Sequence, residues 1–298
     1  MEKIDILSLD LKELESALVE MGEKKFRAKQ IFLWLHVKKV PDFDKMTDIS
    51  IQLRERLKEN FCINGLFVQK RLESCIDNTV KYLYRLSDWN FVETVLMEYS
   101  YGYSLCISTQ VGCKMGCRFC ASAIAGFVRN LTPSEMLLQI YETERNSGVK
   151  ISGLVLMGIG EPLDNYDNVL KFLSLLSHKD GNNFSLRHVS LSTCGLVPKI
   201  YELAELKLGL TLCISLHSSD NSSRSEIMPV NRTYNIEALI EACKNYISAT
   251  GRRITFEYAV MDNVNSAEKD ADRLAELLRG INCHVNLIPV NKVKERRY

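Results

Sequence analysis

The sequence contains no apolar run long enough to cross a membrane, and its first residues, Met1-Glu-Lys-Ile-Asp, do not form the apolar core of a secretory signal. Its formal net charge is only +1, so charge alone gives no case for nucleic-acid binding. Internal repeats and low-complexity tracts are also absent. We therefore expect a cytoplasmic protein with no membrane segment, in which any surface that binds nucleic acid depends on how the charges are arranged.

The composition is that of an ordinary globular chain, with 46% hydrophobic and 25% charged residues among 298. Ten cysteines are present. Because the cytosol keeps thiols reduced, a disulfide framework is not expected. Some of these cysteines should bind metal or take part in chemistry, and the others should be buried.

The hydrophobic pattern divides the chain in two, at about residue 95. Residues 1–95 begin with three amphipathic helices and continue with alternating, strand-like segments, which predicts a small helical/β accessory domain. Residues 96–298 alternate strands with helices, the pattern of parallel βα units. Six strands are predicted there, at 104–108, 153–157, 188–192, 209–215, 253–260 and 283–288. Six are too few for a closed eight-stranded barrel, so we expect an α/β fold, a partial (β/α)6 TIM-like barrel.

Glycines and polar residues cluster directly after these strands, as in Gly158-Ile-Gly-Glu161, Ser192-Thr-Cys-Gly195 and Ser215-Leu-His217. In βα barrels the loops at the carboxyl ends of the strands form the functional face. The clustering therefore predicts a single site at that end of the sheet.

Three cysteines lie within eight residues in Cys113-Lys-Met-Gly-Cys117-Arg-Phe-Cys120, just after the first strand of the core. Three thiolates can hold a [4Fe–4S] cluster and leave one iron without a protein ligand, free to bind S-adenosylmethionine (SAM). A zinc knuckle is the alternative, but it normally needs four ligands, and no second cysteine pair or suitably spaced histidine follows. The spacing favours the cluster.

This CxxxCxxC loop is the signature of radical SAM enzymes, and further strings make the resemblance more specific. These strings are Phe26-Arg-Ala-Lys-Gln-Ile31, Cys106-Ile-Ser-Thr-Gln-Val-Gly-Cys113, Gly126-Phe-Val-Arg-Asn-Leu131, Met157-Gly-Ile-Gly-Glu-Pro162, Ser215-Leu-His217, Arg224 through Met228-Pro-Val-Asn231, and Val285-Asn-Leu-Ile-Pro289. With them, the sequence resembles the RlmN family of radical SAM RNA methyltransferases over nearly its whole length. The sister Cfr family, which methylates C8 of adenine, typically has alanine in place of Pro162 and arginine in place of Pro289.

The resemblance implies the cofactors and the residues that hold them. Cys113, Cys117 and Cys120 would ligate the [4Fe–4S] cluster. The SAM contacts that it implies are Gly160, Glu161, Ser192, Ser215, Leu216, His217 and Asn291. Taken alone, several of these have plainer interpretations: Glu161 as part of a turn, Ser192 as a strand cap, His217 as a core residue and Asn291 as a turn residue.

The resemblance also implies a reaction in which one SAM methylates an enzyme cysteine and a second yields a 5′-deoxyadenosyl radical. The radical activates that methyl group, which adds to C2 of an adenine. Cys106 matches the cysteine that resolves the resulting covalent adduct, although by spacing alone it could be an inert buried thiol. Glu93 matches the proposed proton acceptor, but Cys106 could take the same proton.

The substrates implied are 23S rRNA, at an adenine of the peptidyl-transferase region, and tRNA, at an adenine of the anticodon loop. A flavodoxin-type electron donor and a monomeric protein are further expectations. The family's methyl-accepting cysteine lies in a C-terminal segment that has no counterpart before Tyr298. We therefore expect this chain to bind and cleave SAM without methylating RNA. A Cfr-like C8 methyltransferase and a non-catalytic SAM- and cluster-binding fragment are the alternatives.

Overall fold

A computed structural model describes residues 3–290, so Asn291 lies outside the described residues. The strands are β1 Ile4–Asp5, β2 Phe61–Cys62, β3 Phe67–Glu73, β4 Val80–Arg85, β5 Phe91–Tyr99, β6 Gly102–Cys106, β7 Gln110–Gly112, β8 Phe127–Asn130, β9 Ile151–Leu156, β10 Val189–Thr193, β11 Thr211–Ser215, β12 Ile254–Val260 and β13 Cys283–Pro289. The α-helices are α1 Leu11–Glu20, α2 Phe26–His36, α3 Ile51–Asn60, α4 Pro133–Ser147, α5 Tyr166–Ser177, α6 Val197–Glu205, α7 Asn221–Ile227, α8 Ile236–Thr250 and α9 Glu268–Leu277.

The chain forms two compact units, and each combines segments that are distant in sequence. The first contains residues 3–105, 131–152 and 167–185, and the second contains residues 106–130, 153–166 and 186–290. The α/β class predicted from the sequence is confirmed. No helix in residues 3–290 is both long enough and apolar enough to span a membrane.

The first unit is built from α1 to α5 and an antiparallel array in which β4 lies between β3 and β5. Helix α1 starts with a capping box, since Asp10 accepts from the amide of Glu13 and the Glu13 side chain accepts from the amide of Asp10. Helix α4 starts in the same way at Thr132, with Pro133 in the first turn, as its sequence favours. Inside the unit, the buried hydroxyl of Tyr84 is 2.9 Å from that of Thr143.

The second unit contains the parallel strands, in the spatial order β9, β10, β11, β12 and β13. Strand β11 shows why these segments form the interior of a sheet. Leu212, Cys213 and Ile214 are all buried, as expected for a parallel strand covered on both faces. The carboxyl ends of β9, β10 and β11 therefore lie side by side, which positions the polar residues that follow them.

All six strands predicted in the core region are present, with bounds shifted by at most two residues. In the core region, three of the strands and α-helices described above were not predicted. Two are β7 and β8, which form a short antiparallel pair, and the third is α7, which begins at Asp220, whose side chain accepts from the amide of Ser223.

Candidate functional site

The three-cysteine loop begins where β7 and β8 lie against each other. The Cys113 amide donates to the Gly126 carbonyl at 2.9 Å. Gly112 has a φ of +73°, and a Cβ built there would lie 1.8 Å from the Gly126 oxygen. Only glycine fits at such a position. The close backbone contact fixes the start of the loop.

Cys113, Cys117 and Cys120 all line one cavity of about 240 Å³ in the second unit. None is in a disulfide. Burial, with Cys120 and Cys113 nearby, raises the pKa of Cys117 to about 12, so iron must displace a proton from this sulfur.

Within residues 3–290, no three His, Cys, Asp or Glu side chains are close enough to chelate a single ion. A [4Fe–4S] cluster can be held by three thiolates, one at each of three corners, which leaves the fourth iron open for a ligand. The three cysteines fit a cluster as a donor set.

Glu161 lines the same cavity, with only 3% of its surface exposed. One carboxylate oxygen accepts from the amide of Leu163 at 3.0 Å, and the other accepts from the amide of Cys194 at 2.7 Å. Burial raises its pKa. Hydrogen bonds from the side chains of Thr193 and Cys194 also stabilise its charged form, so this carboxylate is fixed in place.

Gly160 has a φ of +111°, and a Cβ there would lie 2.6 Å from Cβ of Gln110. Gln110 is fully buried and organises this wall. Its side-chain oxygen accepts from the Glu161 amide at 2.8 Å, and its side-chain nitrogen donates to Asn130 and Asp164, each at 2.8 Å. Sequence reasoning missed this role, although Gln110 lies inside one of the matching strings.

The ends of β10 and β11 form the next part of the cavity wall. The hydroxyls of Ser192 and Ser215 are 3.5 Å apart, and both residues line the cavity. The amide of Leu216 donates to the Glu257 carbonyl at 3.1 Å, while the Leu216 side chain is buried. Leu216 thus contributes its backbone to this region.

His217 also lines the cavity, in an unusual backbone conformation with φ +55°. Its Nδ1 accepts from the Ala259 amide at 2.9 Å, and its ring packs edge-on against Phe119 of the cysteine loop at 4.9 Å between centroids. Burial lowers its pKa to about 3, so the ring is neutral at pH 7. With Nδ1 accepting, the proton lies on Nε2.

Arg224 is the most important residue that sequence reasoning named without giving it a role. It is completely buried on α7. Its guanidinium donates to three main-chain carbonyls, those of Cys194, Ser215 and Leu216, at 2.8 to 3.1 Å, and to the side-chain oxygen of Asn231 at 2.8 Å. Burial lowers its pKa to about 10, so it stays charged at pH 7. It connects the carboxyl ends of β10 and β11.

Two further cavity residues were missed. Cys194 is buried, and burial and the Glu161 carboxylate raise its pKa well above the usual value. Glu257 accepts from the side-chain amide of Asn286 at 2.7 Å, and burial raises its pKa. Glu257 lies inside the hydrophobic strand β12. A charged residue in such a strand was the sequence feature that could have indicated a functional role.

The two residues predicted to be catalytic lie outside the lining of this cavity. Burial raises the pKa of Cys106, at the end of β6, to about 11, and its sulfur accepts a hydrogen bond from the amide of Met157, a cavity residue. Glu93, on β5, belongs to the first unit, where its carboxylate is 2.8 Å from the ammonium of Lys81.

Comparison with known proteins identifies the class of this α/β chain with its three-cysteine cavity. Residues 107–277 match the family model of the radical SAM superfamily. A crystal structure of a radical SAM methyltransferase from Sphaerobacter thermophilus is 40% identical, with a TM-score of 0.93, and the match covers 97% of this chain and 86% of that one. The protein is thus a radical SAM protein with a fold like that of this methyltransferase.

The particular family follows from two further matches. Residues 4–63 match the family model of the ribosomal RNA large subunit methyltransferase N-terminal domain. The chain is 52% identical to the probable dual-specificity RNA methyltransferase RlmN of Lachnoclostridium phytofermentans, covering 100% of this chain and 83% of that protein. It is 53% identical to the protein of the same name from Alkaliphilus oremlandii, covering 100% and 87%. The chain belongs to the RlmN family.

Proposed function

We propose that this protein is a radical SAM RNA methyltransferase that forms 2-methyladenine in 23S rRNA and in the tRNA anticodon loop. Given that the chain belongs to this family, one observation about its structure is the main support for the proposal. Cys113, Cys117 and Cys120 share a single cavity with Glu161 and with the ends of β10 and β11. Three thiols and a fixed carboxylate are what a cluster and the ammonium group of SAM require.

In this proposal the three cysteines hold the [4Fe–4S] cluster, which when bound supplies the electron that cleaves SAM. Glu161 accepts from the SAM ammonium, while Gly160 lets the backbone approach the ligand. Ser192 and Ser215 offer hydroxyls, and His217 completes the same wall. Leu216 does not line the cavity, and its SAM contact is proposed on the resemblance alone. Asn291 is proposed as an adenosine contact on the resemblance alone, because it lies outside the described residues.

Cys106 is proposed as the resolving thiol and Glu93 as a proton acceptor. Because burial raises the pKa of Cys106, this thiol needs a base before it can act as a nucleophile. Glu93 is a carboxylate about two-fifths exposed, so it can exchange protons with solvent or substrate.

Residues 1–95 are proposed as the accessory domain that helps to bind RNA, and residues 96–298 as the catalytic core. The target adenine must leave its stack to reach such a cavity, as in other enzymes that modify bases. A flavodoxin-type electron donor, a monomeric state and a cytoplasmic location complete the proposal.

The test uses anaerobic protein reconstituted with iron and sulfide, reduced with dithionite and given SAM and 23S rRNA fragments. We expect 5′-deoxyadenosine from the protein but not from its Cys117→Ala variant, and we expect the methylated adenine of the RNA to be 2-methyladenosine. Nucleoside mass analysis showing 8-methyladenosine, or an assay showing no 5′-deoxyadenosine from the protein, would contradict the proposal.

A further inference from the structure

An exposed cluster of aromatic rings surrounds one arginine on the antiparallel array of the first unit. Phe67 on β3, Arg85 on β4 and Phe91 on β5 lie directly opposite one another in a single row. Trp89 lies in the turn between β4 and β5. The exposed fractions of the three aromatic residues are 50% for Phe67, 73% for Trp89 and 43% for Phe91. We refer to these four residues as the Arg85 platform.

Arg85 lies between two of the rings. Its guanidinium carbon is 4.7 Å from the centroid of Phe67 and 4.3 Å from the centroid of Trp89. Both distances are within the range of cation–π contacts. Trp89 has a φ of +67°, a conformation that bulky side chains rarely adopt, and the turn around it is closed by a 2.8 Å bond from the Leu86 amide to the Asn90 carbonyl. A large apolar ring is thus held in solvent at a backbone position that does not favour it.

The charges around the platform leave a small positive excess. The cations are Lys70, Arg71, Lys81 and Arg85, and the carboxylates are Glu73, Glu93 and Asp88, which hydrogen-bonds to Asn90 in the turn that carries Trp89. Lys81 pairs with Glu93 at 2.8 Å, and Arg71 pairs with Glu73 at 2.6 Å. Among residues 3–290, no carboxylate pairs with Arg85 or with Lys70, which occupies the row next to it. Two unpaired cations beside exposed rings suit a partner that has both negative charge and flat aromatic faces.

We propose that the Arg85 platform stacks an unpaired base of the RNA, with Arg85 and Lys70 beside its phosphates. Single-stranded nucleic acid is bound in this way elsewhere, by aromatic and arginine faces in a basic setting. The inference rests on the proposed function and adds to it a base-stacking contact.

The platform also lies close to Glu93. Phe91 and Glu93 lie on the same face of β5, two residues apart, which corresponds to about 7 Å along a strand. A base stacked on the platform therefore lies near the carboxylate that is proposed as a proton acceptor.

Tryptophan fluorescence gives a direct test, because Trp34 is buried and Trp89 is the exposed one of the two tryptophans. The ligand is an RNA hairpin with an adenine-containing loop, compared with its stem duplex alone. We expect the hairpin to quench the emission, and Trp89→Phe to abolish the quenching while binding is retained, since phenylalanine still stacks. Trp89→Ala should weaken binding about tenfold. Tyr101→Ala, which removes an aromatic residue that is 72% exposed in the same unit, is the matched control and should change binding less than twofold.

The possible outcomes separate this inference from the proposed function. If the parent binds the hairpin but Trp89→Ala binds it as tightly as Tyr101→Ala does, the platform is not a stacking site, although the protein remains an RNA enzyme. If the parent binds no hairpin, both ideas fail. A dimer that sediments in the parent and dissociates in Trp89→Ala would assign the face to a second copy and overturn the inference. Formation of 5′-deoxyadenosine should be the same in every variant.

Discussion

Replacing Arg224 with methionine tests whether one buried side chain fixes the cofactor cavity. The change keeps an unbranched chain of similar length but removes the four hydrogen bonds to Cys194, Ser215, Leu216 and Asn231. Bonds from a charged donor contribute about 2 kcal/mol each, so about 8 kcal/mol is lost. Keeping a guanidinium buried, with its pKa lowered to about 10, costs roughly 3 kcal/mol, and the substitution recovers this cost. The variant should therefore be less stable by about 5 kcal/mol.

Thermal unfolding of the protein as isolated measures this loss. A loss of this size should lower the melting temperature by about 10 to 20 °C. Arg232→Met is the matched control, because Arg232 is exposed and eight residues away, and it should change stability by less than about 0.5 kcal/mol. Equilibrium dialysis should also show weaker SAM binding by the reconstituted Arg224→Met protein. If the two variants melt within about 2 °C of each other and bind SAM alike, Arg224 does not maintain the cavity.

Four further predictions concern other residues. Cys117→Ala should lose the iron content and visible absorbance of the cluster after reconstitution, and a normal cluster in that variant would refute the assignment of the loop. Glu161→Gln should weaken SAM binding about tenfold at unchanged iron content, by loss of a charged acceptor, whereas the exposed Glu226→Gln should not. Gly112→Ala should abolish cluster assembly or soluble expression, because the added Cβ would overlap the Gly126 oxygen. Gly148→Ala is the control and should assemble a normal cluster, because the space around Gly148 is open. Burial and the charge of His178 lower the pKa of His36 to about 3, so the unfolded chain takes up a proton below about pH 6.5 that the folded chain excludes. Stability is therefore lost as the pH falls, and His36→Gln should remove about 2 kcal/mol of the loss between pH 7 and 5 in denaturation curves, with the exposed His188→Gln as control.

The parallel strands and their functional ends could be predicted because local pattern determines them. A run such as Thr211–Ser215 is apolar on both faces, and the helix at Pro133 carries its own start signal. Helix α7 was not predicted because Asn221–Ile227 is short and polar. It forms because Asp220 caps it and because Arg224 is bonded in the interior.

The cysteine loop and the residues after the strands were predicted from spacing and resemblance, and the structure brings most of them to one cavity. Their individual roles stay predictions. The contacts that fix the cavity could not be predicted, because they join residues far apart in sequence. Gln110 bonds to Asp164, 54 positions away, and Arg224 bonds to Cys194, 30 positions away. Such pairs follow only from the packed fold.

The bonds made by Arg224 have a consequence for how this family can diverge. Three of its four acceptors are main-chain carbonyls, which every amino acid provides, whereas the fourth is the side chain of Asn231. Side chains at positions 194, 215 and 216 can therefore be exchanged during evolution without breaking the bonds from Arg224. The identity of residue 231 is tied to that of residue 224. The cavity can thus acquire new side chains while its supporting frame stays fixed.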